Sequence, residues 1–505
     1  MVSLRSLLAA GAVIGVFVDP IATAPLQTII TRDHHDRQGR TAIVWGPCPP
    51  IFSTNVTCAT YHAPLDWQNP LQHGNISLGM LRIKARNPAK RIGYLFLNPG
   101  GPGGQASQSV NSIARSTGKI NPELLDRFDI IGLDPRGVGL STPVQCDVDL
   151  WNQRTSFFPQ SEQAFNELVN KNKLISESCR KKSGRIVDFV DTVSAAKDHE
   201  AVRLALGDGP ATFFGLSYGT QLFTQYAQLF PNGIRALLLD GLLQHSQSEY
   251  SNLLIESSTY EATLREFFRW CTAHEECVLA KEDAQKTMLE VLSKAKRAPI
   301  STPGCDKKSC RSDVTEEEIL FATQAFLTST STWPKLAIAL QEAGRGNATI
   351  FARAQGLAVG DAYEDSYLFG GASIQCQDWS HSDTTLYQLQ QKQILSATMS
   401  PITKGTSQSY QIQASCIGWT APLRNPEKRV KYNGNQTILS VNSIHDPSTS
   451  YTWALGLQNE LGNSVLLTRN GSGHTSWHLN GEATKIQNAY LVNLTLPEPG
   501  VVVDS

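Results

Sequence analysis

The stretch ATFFGLSYGTQLFTQYAQL (211–229) contains the pentapeptide GLSYG (215–219), a glycine-flanked serine between two different hydrophobic patterns. A β-rich apolar run, Ala211–Phe214, precedes it, and the helical pattern of Thr220–Leu229 follows it. Glycines on both sides permit a tight strand-to-helix turn that exposes the serine at the helix N-terminus. The stretch therefore predicts Ser217 as a nucleophile, with the N–H of Tyr218 free to stabilise an oxyanion. A loop serine without a chemical role is the alternative.

A second glycine-rich loop follows another apolar run. The sequence GYLFL (93–97) predicts a strand, and NPGGPGG (98–104) comes directly after it. Acyl transfer needs a second N–H donor for the oxyanion, and glycines let the backbone approach a substrate closely. We predict Gly101 as that donor, with Gly100 as the next choice. A plain tight turn remains possible, whereas a phosphate-binding loop is disfavoured because no Lys-Ser/Thr pair follows.

A nucleophilic serine also needs a base and an acid that orients the base. His474 ends the loop NGSGH (470–474), just after the predicted strand SVLLT (464–468), which makes it the predicted base. Asp446 follows the predicted strand TILSV (437–441) and is the predicted acid. His478 is the alternative base, and Asp240, at the end of another predicted strand, is the alternative acid.

The order of these patterns predicts an α/β fold with one interrupted core. Apolar runs at FDIIGL (128–133) and IRALLL (234–239) add further strands, separated by helical stretches such as 193–206. This indicates a mostly parallel central sheet with helices on both faces. Residues 41–241 and 431–500 are the two predicted parts of that core. Helical patterns dominate residues 242–430, which we predict to be a helical cap inserted between them.

Composition sets limits on class and compartment. The chain has 505 residues, a formal net charge of -1, 41% hydrophobic and 18% charged residues. This suits a globular protein and argues against nucleic acid as a partner. Residues 1–24 have a basic start, an apolar run and small residues before Pro25, which predicts a secretory signal peptide. An uncleaved anchor or a buried helix is the alternative, and no other segment predicts membrane insertion.

Cysteines and glycosylation sequons point to the same secreted compartment. The ten cysteines suit disulfides in an oxidising environment, and pairing of chain neighbours is one arrangement, although sequence does not fix connectivity. Neighbour pairing would join Cys48 with Cys58, Cys146 with Cys179, Cys271 with Cys277, Cys305 with Cys310, and Cys376 with Cys416. Six N-x-S/T sequons are candidate glycosylation sites. They start at Asn55, Asn75, Asn347, Asn435, Asn470 and Asn493. No metal-binding cluster or dinucleotide fingerprint is evident, so we predict no cofactor.

Taken together, NPGGPGG (98–104), DPRGVGLS (134–141), residues 191–219, LLLDG (237–241) and VNSIHDPST (441–449) with GSGH (471–474) resemble a known family. This is the tripeptidyl-aminopeptidase branch of the proline-iminopeptidase-like serine peptidases. The resemblance implies the α/β-hydrolase fold with a helical cap. It also implies a triad of Ser217, Asp446 and His474, and cleavage of short peptides from free N-termini.

The resemblance leaves the substrate less well defined. Aminopeptidases of this type need a carboxylate in or near the cap to bind the substrate's α-ammonium group. Asp378 is one candidate for this role, and Glu249, Glu256 and Glu261 are others. A peptide or a small molecule is the expected partner, and the oligomeric state is not predicted. An esterase, lactonase or amidase with the same triad, or a non-catalytic binding module, are the competing hypotheses.

Overall fold

A computed structural model of the protein describes residues 43–306 and 308–504. The predicted signal peptide, residues 1–24, lies outside the described residues. Within them, no helix has the length and apolarity that crossing a membrane requires.

The ten cysteines form five disulfide pairs, each between neighbours in the chain. Cys48 pairs with Cys58, Cys146 with Cys179, Cys271 with Cys277, Cys305 with Cys310, and Cys376 with Cys416. The structure therefore supplies the connectivity that the sequence left open. It is the neighbour arrangement, and the longest loop that a disulfide closes separates Cys376 from Cys416 by 40 residues.

The described residues contain one large sheet and one small hairpin. The strands are β1 (Thr57–Pro64), β2 (Asn75–Ile83), β3 (Gly93–Asn98), β4 (Phe128–Leu133), β5 (Ala211–Leu216), β6 (Ile234–Asp240), β7 (Ile300–Ser301), β8 (Asp313–Val314), β9 (Ile438–His445), β10 (Ser464–Ser472) and β11 (Val502–Asp504). The large sheet has the order β1-β2-β4-β3-β5-β6-β9-β10-β11, and β7 pairs with β8.

Most of the large sheet is parallel. From β4 to β11 every neighbouring pair is parallel, while β2 runs antiparallel to both β1 and β4. All six residues of β5 are buried, as expected for a central parallel strand covered on both faces. Parallel strands require crossover connections, which is why their apolar runs alternate with helical patterns in the sequence. The predicted mostly parallel α/β fold is confirmed.

Helices cover both faces of this sheet. Neighbouring residues of a strand point to opposite faces. Phe213 packs against Phe223 and Tyr226, whereas the next residue, Phe214, packs against Trp477. The helices are α1 (Ala106–Ala114), α2 (Pro122–Arg127), α3 (Val148–Asn152), α4 (Glu162–Ser183), α5 (Thr192–Leu206), α6 (Tyr218–Leu229), α7 (Glu249–Ala273), α8 (Ala284–Arg297), α9 (Glu316–Leu327), α10 (Trp333–Gly344), α11 (Thr349–Gln355), α12 (Ala362–Asp378), α13 (Leu386–Met399), α14 (Gln408–Cys416), α15 (Tyr451–Leu461) and α16 (Glu482–Asn493).

The segment between β6 and β9 is helical and has a hydrophobic core of its own. It holds α7 to α14 and the β7–β8 hairpin. Buried side chains from α7 to α11 pack together in this core. They include Tyr260, Leu264, Phe267, Met288, Leu320, Trp333, Leu336 and Phe351. The chain leaves the sheet after β6, which neighbours β5, and returns at β9, which is the next strand beyond β6.

Candidate active site

Ser217 lies in a strained turn between β5 and α6. Its backbone has φ 55° and ψ −125°, a region that residues with a side chain rarely occupy. A methyl group at Gly215 would lie 2.4 Å from the carbonyl oxygen of Gly219, and one at Gly219 would lie 2.7 Å from that of Asn98. The glycines are therefore required by close backbone approach, in agreement with the prediction from sequence. The turn leaves Ser217 half-buried at the start of α6.

Two backbone segments flank the Ser217 hydroxyl where an oxyanion would form. Tyr218 is the first residue of α6, so no preceding helical turn can accept a bond from its N–H. A methyl group at Gly100 would lie 2.7 Å from Cβ of Ser217 and 3.0 Å from the nitrogen of Tyr218. Gly101 follows with φ 113°. The loop after β3 thus lies against the turn after β5 through Gly100, whose own N–H donates to Oδ1 of Asn98. The N–H groups of Tyr218 and Gly101 therefore stay our candidate oxyanion donors.

His474 and Asp446 form a direct pair. Nδ1 of His474 lies 2.8 Å from Oδ2 and 3.0 Å from Oδ1 of Asp446, whose side chain is fully buried. The backbone N–H groups of Ser448 and Thr449 donate to the same carboxylate. Burial favours protonation of Asp446, but His474 and these donors lower its pKa below the ordinary value. The pKa of His474 is raised because Asp446 outweighs the effect of burial.

The end of β6 connects this pair to Ser217. The N–H of Ser217 donates to the carbonyl oxygen of Asp240 at 2.9 Å. The next residue, Gly241, lies against the imidazole, since a methyl group there would be 3.1 Å from Cε1 of His474. The serine and the histidine therefore both lie at the end of β6. The three residues are far apart in the sequence. They follow the chain order expected for this fold, which is nucleophile, then acid, then base.

The alternatives have other roles in the structure. The carboxylate of Asp240 is buried and accepts bonds from the N–H groups of Ser476 and Trp477 and from Nε2 of Gln487. It thereby fixes the loop that follows His474. His478 is exposed at the surface, and its carbonyl oxygen accepts a bond from Lys119. Asp446, and not Asp240, orients a histidine, and that histidine is His474.

A cavity of about 990 Å³ begins at the candidate oxyanion loop and extends into the cap. Gly101 and Pro102 line one end of it. Gln324 also lines the cavity and donates to the carbonyl oxygen of Pro447, next to Asp446. The volume is at the upper end of the range for ligand sites. Ser217 and His474 are not among its lining residues, so the cavity is a candidate substrate site that reaches the catalytic turn only through the loop at Gly101.

Asp378 does not line this cavity, which corrects the expectation that it binds a substrate amine. It is fully buried at the end of α12. Its Oδ1 accepts from the N–H of Thr192 at 3.0 Å and from Nδ2 of Asn425 at 3.1 Å. Its Oδ2 accepts from the Thr192 hydroxyl and from Nε2 of Gln221. Both carboxylate oxygens are occupied by the protein's own donors.

Asp378 instead connects the cap to the turn at Ser217. The Thr192 hydroxyl contacts both Asp378 and, at 2.5 Å, the hydroxyl of Tyr218. Gln221, which Asp378 also binds, lies one turn further along α6. Burial raises the pKa of Asp378 to about 7, although its hydrogen bonds act to lower that pKa. The carboxylate thus supports the residue whose N–H is a candidate oxyanion donor.

Helix α12 also contacts the candidate oxyanion loop directly. A methyl group at Gly371 would lie 2.6 Å from the carbonyl oxygen of Pro102, and one at Gly370 would lie 2.6 Å from that of Gly137. Glycine is a poor helix former, so this pair weakens the local helical pattern of α12. Because neither glycine has a side chain, the helix backbone can lie directly against two loops of the core.

The other carboxylates named from the sequence are also engaged. Glu249 pairs with Lys392, and Glu261 pairs with Arg265. Glu256 is buried, accepts from Ser409 and Gln324, and has a pKa raised by burial to about 7. The cavity wall contains carboxylates that sequence reasoning missed, Glu316, Glu317 and Glu318. Acidic residues in the first turn of a helix are common, so nothing in the sequence marked them.

Two family models match the chain. One described as "TAP-like protein" matches residues 400–503, and one described as "alpha/beta hydrolase fold" matches residues 94–302. With the sheet and the turn at Ser217, these matches define the protein as a serine hydrolase of the α/β-hydrolase fold. The first model makes the C-terminal part of the chain similar to TAP-like proteins, and the relatives below are similar over most of the chain.

Several curated proteins are similar over most of their length. Serine protease Hip1 of Mycobacterium tuberculosis (strain H37Rv) is 27% identical over 482 residues, which cover 91% of this chain and 90% of that protein. Tripeptidyl aminopeptidase of Streptomyces lividans is 24% identical over 464 residues, covering 86% and 81%. Carboxylesterase B of M. tuberculosis (strain CDC 1551) is 24% identical over 437 residues, covering 83% and 80%.

Proposed function

We propose that the protein is a secreted exopeptidase that releases short peptides or single residues from free N-termini. The observation that carries this proposal is an unpaired carboxylate, Glu317, in the wall of the cavity that begins at the oxyanion loop. Its neighbours Glu318 and Glu316 pair with Arg154 and Lys404. In the part of the chain that the structure describes, Glu317 has no cation within ion-pair distance.

Glu317 is suited to bind an α-ammonium group. Oε1 accepts from the N–H of Phe157 and Oε2 from the hydroxyl of Ser156, each at 2.7 Å. Each carboxylate oxygen has a further lone pair, and an ammonium group has three donors. Burial raises the pKa of Glu317 to about 7, and nearby Glu318 adds to this effect. A substrate cation would relieve the cost of that burial.

In the proposed reaction, Ser217 attacks the scissile carbonyl while His474 accepts the hydroxyl proton. Asp446 stabilises the imidazolium, and the N–H groups of Tyr218 and Gly101 stabilise the oxyanion. His474 then donates the proton to the leaving amine, which gives an acyl-enzyme on Ser217. Water, deprotonated by His474, attacks the ester. Collapse of that intermediate releases the N-terminal product as an acid and returns the proton to Ser217.

The test is digestion of a peptide library in two forms, with free and with acetylated N-termini, read by mass spectrometry. Cleavage only near free N-termini is expected. In the variant Glu317→Gln, kcat/KM for free-amine peptides should fall about 10- to 100-fold. A loss of this size corresponds to the free energy of one hydrogen bond to a charged group. Glu316→Gln is the matched control, because Lys404 already neutralises Glu316. Equal cleavage of acetylated peptides, or equal effects of both substitutions, would contradict the proposal.

The alternative function is an esterase, lactonase or amidase that uses the same triad on a small metabolite. The similarity to a protein named carboxylesterase B favours keeping it. Simple esters assayed beside the peptides separate the two functions. A large preference for esters, unaffected by Glu317→Gln, would support the alternative.

Secretion is part of the proposal and is supported by the disulfides and by the sequons. Five sequon asparagines are exposed: Asn55, Asn75, Asn435, Asn470 and Asn493. Asn347 is half-buried, and its side-chain oxygen accepts from the N–H and the hydroxyl of Thr349. We expect glycans on exposed sites and little on Asn347 when a eukaryotic secretory host produces the protein. Glycopeptide mass spectrometry of the medium checks this, and retention of unglycosylated protein inside the cells would contradict it.

A further inference from the structure

The same cavity contains a lysine whose charge is not balanced. Lys171, on α4, lines the cavity together with Ile175 from the next helical turn. It is half-buried, and its ammonium group contacts the carbonyl oxygen of Gln153. Among the residues that the structure describes, no carboxylate lies within ion-pair distance of Lys171. A backbone carbonyl supplies one acceptor, whereas an ammonium group has three donors.

The neighbouring cations of the wall differ from Lys171 in this respect. Arg154 pairs with Asp313 at 2.6 Å and with Glu318 at 2.9 Å. Arg311 pairs with Glu318 at 3.2 Å. Lys404 pairs with Glu316. Lys296 is exposed to solvent, so water hydrates its charge.

An unpaired, half-buried ammonium group is costly to keep. Burial, together with the nearby charge of Arg311, lowers the pKa of Lys171 to about 8. The group therefore remains mostly protonated at neutral pH but has lost part of its hydration. An anion that enters the cavity would restore a partner for it, in a setting where a charge pair is stronger than in water.

We propose that Lys171 binds a carboxylate of the substrate, so that the enzyme prefers peptides with an acidic group in the part held by the cavity. The inference rests on the proposed function, in which the cavity holds a peptide. Glu317 and Lys171 are not paired with each other, so each charge is available to a different group of one ligand. A peptide with a free amine and a carboxylate has both complementary charges. The carboxylate can come from an aspartate or glutamate side chain or from the C-terminus of a short peptide.

The experiment compares matched free-amine substrates on the full-length enzyme. In the first set of pairs, one peptide has Glu and its partner has Gln at the same position, and each position is tested in turn. In a second pair, one peptide has a free C-terminus and its partner has an amidated C-terminus. The wild-type enzyme should prefer the acidic member of one pair by about tenfold or more in kcat/KM. A Glu/Gln preference identifies a side chain as the ligand, and an acid/amide preference identifies the C-terminus.

The measured ratio is kcat/KM for the acidic substrate divided by kcat/KM for its neutral partner. In Lys171→Met this ratio should fall to near one, whereas Lys296→Gln should keep the wild-type ratio. Cleavage of the neutral peptides by wild-type enzyme tests the proposed function separately. If no peptide is cleaved, the same ratio is measured on esters with a carboxylate or a carboxamide in the acyl part. Identical ratios in wild-type enzyme and Lys171→Met, on whichever substrates are cleaved, would overturn the inference.

Discussion

Replacing Ser217 with alanine is expected to lower kcat by roughly a millionfold, as loss of the nucleophile does in other triad enzymes. The Ser217 hydroxyl makes no hydrogen bond to another side chain among the described residues, and alanine keeps the Cβ atom. The strained backbone at φ 55° is therefore unchanged, and the melting temperature should stay within about two degrees of the wild type. The measurements are kcat on the preferred peptide and the melting curve.

A second readout of Ser217 does not depend on knowing the substrate. A fluorophosphonate probe reacts with an activated serine, and should label the folded wild-type enzyme but neither Ser217→Ala nor the heat-denatured chain. The oxyanion donors remain in the variant, so a small residual rate above the uncatalysed reaction is expected. Near-full activity or undiminished labelling in Ser217→Ala would eliminate the proposed mechanism, in which Ser217 forms the acyl-enzyme.

The sequence predicts well those parts of the site whose conformation depends on residues close to them in the chain. A buried apolar run followed at once by glycines predicts a strand and its turn, and this located Ser217, the loop at Gly101 and the loop at His474. Their mutual distances follow from the parallel sheet, because the C-terminal ends of parallel strands meet at one edge. The fold and the candidate triad could therefore be reached from local patterns alone.

Two elements have sequence patterns that the search for apolar runs did not single out, for different reasons. Strand β1, TCATYHAP, alternates buried and exposed residues and contains several polar ones, so it lacks a continuous apolar run. Helix α12 contains Gly370 and Gly371, which disfavour a helix except where loops approach this closely. The alternation in β1 is itself a local strand pattern, which a search for continuous apolar runs does not detect. Only the glycine pair of α12 is explained by loops distant in the chain.

The choice among carboxylates has the same limit. The sequence analysis named Asp378 as a candidate to bind an amine and did not name Glu317. The structure separates them by their surroundings: Asp378 is enclosed by Thr192, Gln221 and Asn425, whereas Glu317 faces the cavity. Residues distant in the chain decide which carboxylate keeps a lone pair free for a ligand. The hydrophobic periodicity of a sequence contains no information about such contacts.

His474→Ala is expected to lower kcat about as much as Ser217→Ala, roughly a millionfold, because base and nucleophile act as one unit. His478→Ala is the matched control, since His478 is exposed and its ring makes no hydrogen bond within the described part of the chain. That control should leave kcat within about twofold. A large loss from His478→Ala with a small loss from His474→Ala would reverse the assignment of the base.

The pair with Asp446 adds a test through pH. Asp446 raises the pKa of His474, and the base must be neutral to act, so kcat/KM should fall as pH drops through a value above the ordinary 6.5. Asp446→Asn removes the carboxylate that stabilises the imidazolium. It should cost about 10⁴-fold in kcat and move this acid limb to lower pH. Asparagine can also favour the wrong tautomer of His474, which lowers the rate at every pH but does not move the limb. The measurement is made on Glu317→Gln enzyme, because burial raises the pKa of Glu317 to about 7 and its titration would add a limb in the same range. In that background, an unmoved limb in Asp446→Asn would mean that the carboxylate orients the ring without stabilising its charge.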